Sequence, residues 1–224
     1  VAITAYDATL AVCADLAGID LVLVGDSLGM VVQGHASTLS VSVDDIVYHT
    51  TCVARGLRHA LLVADMPFMS FRDPATALTN AARLIGEGGA AMVKLEGADW
   101  VCDVIDTLVR REVPVCAHLG LTPQSVHRLG GYRVLGRDDA AADRLQRDAR
   151  LVQHAAALLL GLDCGPAALA PELPRALRLP TIGTRPRAPG PPSPAAQGGS
   201  RLLATRRKSR SAPLHAFTTV GSSR

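Results

Sequence analysis

Short, nearly continuous apolar runs recur along the chain, and five of them end abruptly in a polar residue with chemical capacity. Leu21-Val22-Leu23-Val24-Gly25 runs into Asp26-Ser27, and Leu61-Leu62-Val63-Ala64 into Asp65. Met92-Val93 leads to Lys94-Leu95-Glu96, Val115-Cys116-Ala117 to His118, and Leu158-Leu159-Leu160-Gly161-Leu162 to Asp163-Cys164. Strands buried on both faces have this look, because neither face needs a polar alternate. Helix signals fill the intervals. Asp7 caps a helix through about Leu16, with Gly18 closing it. Ser42-Val43-Asp44-Asp45 reads as a capping box with Asp in place of Glu, starting a helix to about Arg55. Asp73-Pro74 is a cap followed by proline at the first helical position, for a helix ending near Gly88-Gly89. Further helices are predicted over 98–111 and 138–156.

Strands alternating with helices, through connections too long for hairpins, predict a parallel sheet. Seven strands are expected, the first over residues 1–5 and the last over 180–183. The fold class is therefore α/β, one strand short of the eight that a closed (β/α)8 TIM barrel needs. Seven strands without closure leave two open edges, which invite aggregation. The polar stretch 31–40 is long for a connection and is a candidate binding loop.

Composition divides the chain in two. Of 224 residues, 48% are hydrophobic but only 3% aromatic, so the core must be built from Ala, Val and Leu. Residues 184–224 hold six of the fourteen prolines and eight of the Lys/Arg residues, with no Asp or Glu. The expected division is a barrel domain over 1–183 and a disordered Pro/Arg-rich tail over 184–224. The net charge of +3 thus hides a mildly acidic body. Phe217 is the one aromatic residue among the tail's charges, too few to interleave them, which argues for a solvated segment over a nucleic-acid-binding one. Five cysteines without a CxxC pair suit a reducing, cytoplasmic compartment. No run is long enough to span a membrane and no signal peptide is evident. The chain enters an apolar run at Val1, so upstream residues are expected to be missing.

In a β/α barrel the strand C-termini converge on one mouth, where catalytic groups sit. Asp26 and Asp65 each follow an apolar run directly, so their charge needs a partner. A hard divalent cation is one solution; capping the next helix is the other. Lys94 and Glu96, two apart, share one strand face. They form a structural ion pair, or they hold a substrate carboxylate beside a metal. His118 is a general base, a hydrogen-bond donor or a packed core histidine. Asp163 is a general base or a helix cap. No GxGxxG, P-loop or GxSxG pattern is present.

Longer stretches make the chain recognisable. Ile3-Thr4-Ala5-Tyr6-Asp7, Val24-Gly25-Asp26-Ser27-Leu28-Gly29-Met30 with Gln33-Gly34-His35, and Asp65-Met66-Pro67-Phe68-Met69 are three of them. Lys94-Leu95-Glu96-Gly97, His118-Leu119-Gly120-Leu121-Thr122-Pro123-Gln124-Ser125 and Gly130-Gly131-Tyr132 are the others. Over residues 1 to about 183 the chain resembles the ketopantoate hydroxymethyltransferase family. The resemblance implies a β/α barrel of the phosphoenolpyruvate and oxo-acid superfamily, working in pantothenate biosynthesis. It implies transfer of a one-carbon unit from 5,10-methylenetetrahydrofolate to 3-methyl-2-oxobutanoate. It further implies Mg²⁺ held by Asp26 and Asp65 with Glu96 completing the environment. Asp26, Ser27, Asp65, Lys94 and His118 are then on the oxo acid, Asp163 is the base, and the assembly is a homo-oligomer.

The chain departs from the family pattern in three places. The family base is Glu in Leu-Glu-Cys-Val-Pro, whereas here Leu162-Asp163-Cys164-Gly165-Pro166 carries the shorter carboxylate. Pro171 and Pro174 fall where a helix is due. After Ile182-Gly183 the family continues into an eighth strand, while this chain enters the Pro/Arg tail as though the reading frame had shifted. Two alternatives accompany the transferase reading: an inactive remnant with a polyanion-binding tail, and an oxo-acid lyase or mutase on the same barrel.

Overall fold

The computed structural model describes residues 1–120, 124, 139–163, 177–184 and 202–204. The predicted alternation is present. Strands β1 (Ala2–Thr4), β2 (Leu21–Val24), β3 (Leu61–Asp65) and β4 (Met92–Glu96) come first. Strands β5 (Val115–Gly120), β6 (Leu159–Asp163) and β7 (Thr181–Thr184) follow. Each pairs in parallel with the next, in chain order. Helices α1 (Ala8–Leu16), α2 (Leu28–Val31), α3 (Val43–Gly56), α4 (Pro74–Gly86), α5 (Cys102–Val109) and α6 (Asp139–His154) lie between them.

The local signals explain the boundaries. Asp7 accepts a hydrogen bond from the Leu10 amide, and Gly18, at φ +71°, takes the left-handed turn that closes α1. Ser42 and Asp45 cap α3 reciprocally, so Asp serves here in the place of the usual Glu. Asp73 caps α4 with Pro74 at its first position. The helix expected over 98–111 is divided: a single 3₁₀ turn, Asp99–Val101, precedes α5. The short helix α2 stands before the expected loop and takes in its first residue, Val31.

Strand alternation sorts the core into two layers. One parity packs under the helices, with Val22, Val24, Leu62, Ala64, Val93, Leu95, Val115 and Ala117 in the larger apolar cluster. The other parity fills the barrel interior, with Leu21, Leu61, Val63, Met92, Cys116 and Leu159. Along β3, β4 and β5 that interior parity continues into Asp65, into Lys94 and Glu96, and into His118. The interior is therefore apolar at the strand N-termini and polar at their C-termini.

No eighth parallel strand occurs among the described residues. The two open edges expected from that gap, however, are not left open. Strand β8 (Leu202–Ala204) runs antiparallel to both β7 and β1 and completes the ring. The physical reason is the edges themselves: unpaired N–H and C=O groups accept any extended segment that reaches them. The run Leu202-Leu203-Ala204 is too short to carry a period, so the pattern along the chain does not announce it. It lies inside the segment expected to be disordered, and β7 extends one residue past the expected boundary at 183. The stretch Gly130-Gly131-Tyr132, Cys164, Pro171, Pro174 and the rest of the tail lie outside the described residues.

Candidate active site

Six of the seven predicted site residues converge at the C-terminal mouth. Asp65 ends β3, Lys94 and Glu96 end β4, and His118 is near the end of β5. Asp26 and Ser27 lie in the turn that follows β2. Asp26, Asp65, Lys94, Glu96 and His118 are all buried, between 2% and 9% exposed. Asp163 ends β6, and its backbone pairs with Gly120 at the parity of Leu159 and Gly161. Its side chain lies outside the described residues.

The groups are wired to one another. The Asp26 backbone N–H donates to Asp65 Oδ2 at 3.0 Å, joining the ends of β2 and β3. Lys94 Nζ donates to Asp65 Oδ1 at 2.5 Å and stands 4.0 Å from Glu96 Oε1. His118 Nδ1 lies 3.0 Å from that same Glu96 oxygen, a contact to a carboxylate that places the proton on Nδ1. Two glycines make the space. A Cβ on Gly25 would stand 3.0 Å from Ser27 Oγ and 3.3 Å from Asp65 Oδ2, and one on Gly161 would stand 3.3 Å from His118 Cδ2.

Burial and charge set the protonation. Asp26 is pushed up to about 7, by burial first and then by the facing carboxylates of Asp65 and Glu96. Burial opposes the charge on Lys94, but Asp65, Glu96 and Asp26 together outweigh it and raise its pKa, so the ammonium persists. Three buried carboxylates thus surround one ammonium. Such an excess of buried negative charge fits a hard divalent cation, with Asp26 and Asp65 as oxygen ligands. Among the described residues no group of three His, Cys, Asp or Glu side chains is placed to hold a metal ion. The fit is that of a two-carboxylate site, a usual protein share for Mg²⁺. Each oxygen of Glu96 accepts from a protein donor, His118 Nδ1 on one and the Gln124 backbone N–H on the other, and each oxygen of Asp65 likewise accepts one, from Lys94 and from the Asp26 N–H.

Two residues were not singled out from the sequence. Tyr6 OH and Ser27 Oγ are 2.7 Å apart, and burial pushes the Tyr6 phenol up to about 12. Gln124 reaches Asp26 and the carbonyl of Met66 through Nε2. Both lie within the recognised stretches around Tyr6 and His118, which was the available signal.

A parallel barrel with acidic groups at its mouth defines the class. A solved 2,3-dimethylmalate lyase, described as a member of the PEP mutase/isocitrate lyase superfamily, shares the fold. Its TM-score is 0.57 at 14% identity, covering 80% of this chain and 63% of that one, so this chain spans less than two thirds of it. The chain belongs to the ketopantoate hydroxymethyltransferase family, whose pattern matches residues 1–185. It is 56% identical over 182 residues to the 3-methyl-2-oxobutanoate hydroxymethyltransferase of Shewanella loihica (strain ATCC BAA-1088 / PV-4). It is likewise 56% identical over 182 residues to that of Aeromonas salmonicida (strain A449). Each match covers 81% of this chain and 69% of the relative. No described helix is long and apolar enough to cross a membrane.

Proposed function

We propose that the protein is a 3-methyl-2-oxobutanoate hydroxymethyltransferase, taking a one-carbon unit from 5,10-methylenetetrahydrofolate to form ketopantoate. The observation that supports this best is the convergence of Asp26, Asp65, Lys94, Glu96 and His118, drawn from four separate recognised stretches, into one buried cluster. Homology over four fifths of the chain favours this chemistry over that of the lyases and mutases, with which the likeness is one of fold alone.

Asp26 and Asp65 are the residues that would hold Mg²⁺. When bound, the metal supplies Lewis-acid polarisation of a 2-oxo acid carbonyl. Lys94 keeps its positive charge beside the site and compensates negative charge developing on the oxo acid as its C3 proton leaves. Ser27, oriented by Tyr6, presents a hydroxyl to the oxo acid. Glu96 fixes the ring of His118 and keeps it in the Nδ1–H tautomer, and His118 faces the substrate. Asp163 takes the C3 proton; water hydrolyses the folate-borne methylene, breaking both of its C–N bonds and releasing tetrahydrofolate, and the enolate bonds to the resulting formaldehyde-level carbon, whose oxygen, derived from that water, becomes the new hydroxyl. A carboxylate one methylene shorter than the family's Glu would reach less far. A displacement of 1 Å can cost on the order of 100-fold in rate.

The test is formation of ketopantoate from both substrates with Mg²⁺ present, followed by NMR. Product formation that requires the folate supports the reading. Cleavage or rearrangement of an oxo acid without folate would contradict it. Replacing Asp163→Glu is expected to raise turnover by restoring reach; a fall would place the base elsewhere.

A further inference from the structure

We propose that Gln124 is a positioning residue for the metal-binding carboxylate of Asp26, an inference that rests on the transferase reading above. Gln124 follows β5, yet it touches the ends of β2, β3 and β4. Its side-chain Nε2 donates to Asp26 Oδ2 at 3.0 Å and to the Met66 carbonyl at 3.1 Å. Its backbone N–H donates to Glu96 Oε2 at 3.1 Å. Met66 is the residue after Asp65, so one side chain ties the two candidate ligand positions together from across the mouth.

The amide orientation follows from its partners. A carboxylate oxygen and a backbone carbonyl both accept and neither donates, so each must face one of the two hydrogens on Nε2. With Oδ2 pinned in this way, the plane of the Asp26 carboxylate is fixed. The Met66 carbonyl in turn prevents the amide from rotating away. Without those two donors Asp26 would turn about its last torsion, which is broad and roughly two-fold. Groups that orient a metal's ligands are typically worth 10- to 100-fold in affinity or activity.

The experiment compares the full chain with Gln124→Met, which keeps the side chain's length and removes both donors. Mg²⁺ alone is titrated by calorimetry. Exchange of the C3 proton of 3-methyl-2-oxobutanoate in D₂O is then followed by NMR as a function of Mg²⁺. The expected result is Mg²⁺ affinity weakened about 10- to 100-fold, with parental exchange recovered at saturating Mg²⁺. Unchanged Mg²⁺ affinity in the variant would overturn the inference, as would a loss of exchange that Mg²⁺ does not restore. If Gln124→Met does not fold, Gln124→Leu, also without donors, takes its place in the same titration. A parent that binds Mg²⁺ and exchanges the proton isolates the Gln124 question. A parent that does neither overturns the transferase reading and this inference together.

Discussion

At the residue scale the site depends on one cation and one missing side chain. Among the described residues Lys94 is the cation at the buried carboxylates, bonded to Asp65 and near Glu96. Removing one partner of such a buried pair costs about 3–5 kcal/mol, because the other charge is stranded. Lys94→Met should therefore lower the unfolding free energy read from urea denaturation by that order, and added Mg²⁺ should recover part of the loss. A neutral effect on stability would mean that the carboxylates are not charged together. Gly25 works through absence. Gly25→Ala puts a methyl 3.0 Å from Ser27 Oγ and 3.3 Å from Asp65 Oδ2, forcing one of them to shift. Proton exchange should fall by as much as about 100-fold, with an unchanged melting temperature showing that the fold survives.

At the scale of elements, stability resides in short reciprocal caps. Ser42 Oγ accepts from the Asp45 amide, and Asp45 Oδ2 accepts from both the Ser42 amide and hydroxyl. Ser42→Ala should cost about 1 kcal/mol, read from chemical unfolding. The Ser42 side chain and backbone donors hold the Asp45 carboxyl below its ordinary value. A depressed carboxylate contributes stability above its unfolded pKa, about 3.9, and loses it as pH falls through the lower folded value. The Ser42→Ala deficit should accordingly be full near neutrality and shrink below about pH 4. These caps were legible in the sequence because each is settled within four residues. Asp26, Asp65, Lys94, Glu96 and His118 were legible for a related reason: strand parity and a common barrel end determine where they meet. Gln124 was not, because its partner Asp26 is 98 residues away and no strand register relates the two. The residue proposed as base, Asp163, ends β6 with its backbone paired to Gly120.

At the scale of the whole molecule the question is closure. Seven parallel strands leave one gap, and a three-residue antiparallel strand fills it, with Gly183 opposite Leu203 and Ala2 opposite Leu202. That closure was hidden in the sequence because composition averages over a segment rich in Pro and Arg, while pairing needs only three extended residues. Leu203→Pro removes a ladder N–H and should reopen the edges of β1 and β7. Light scattering on heating should then begin at a lower temperature than in the parent, and an unchanged onset would show that β8 does not protect those edges. In the proposed function Asp163 removes the C3 proton of a 2-oxo acid at the barrel mouth, with Mg²⁺ on Asp26 and Asp65. The direct measurement is exchange of that proton in 3-methyl-2-oxobutanoate in D₂O, for the parent and for Asp65→Asn. Mg²⁺-dependent exchange is expected in the folded parent and is expected to be lost in Asp65→Asn; no exchange by folded parent, or equal exchange in both proteins, would rule this mechanism out.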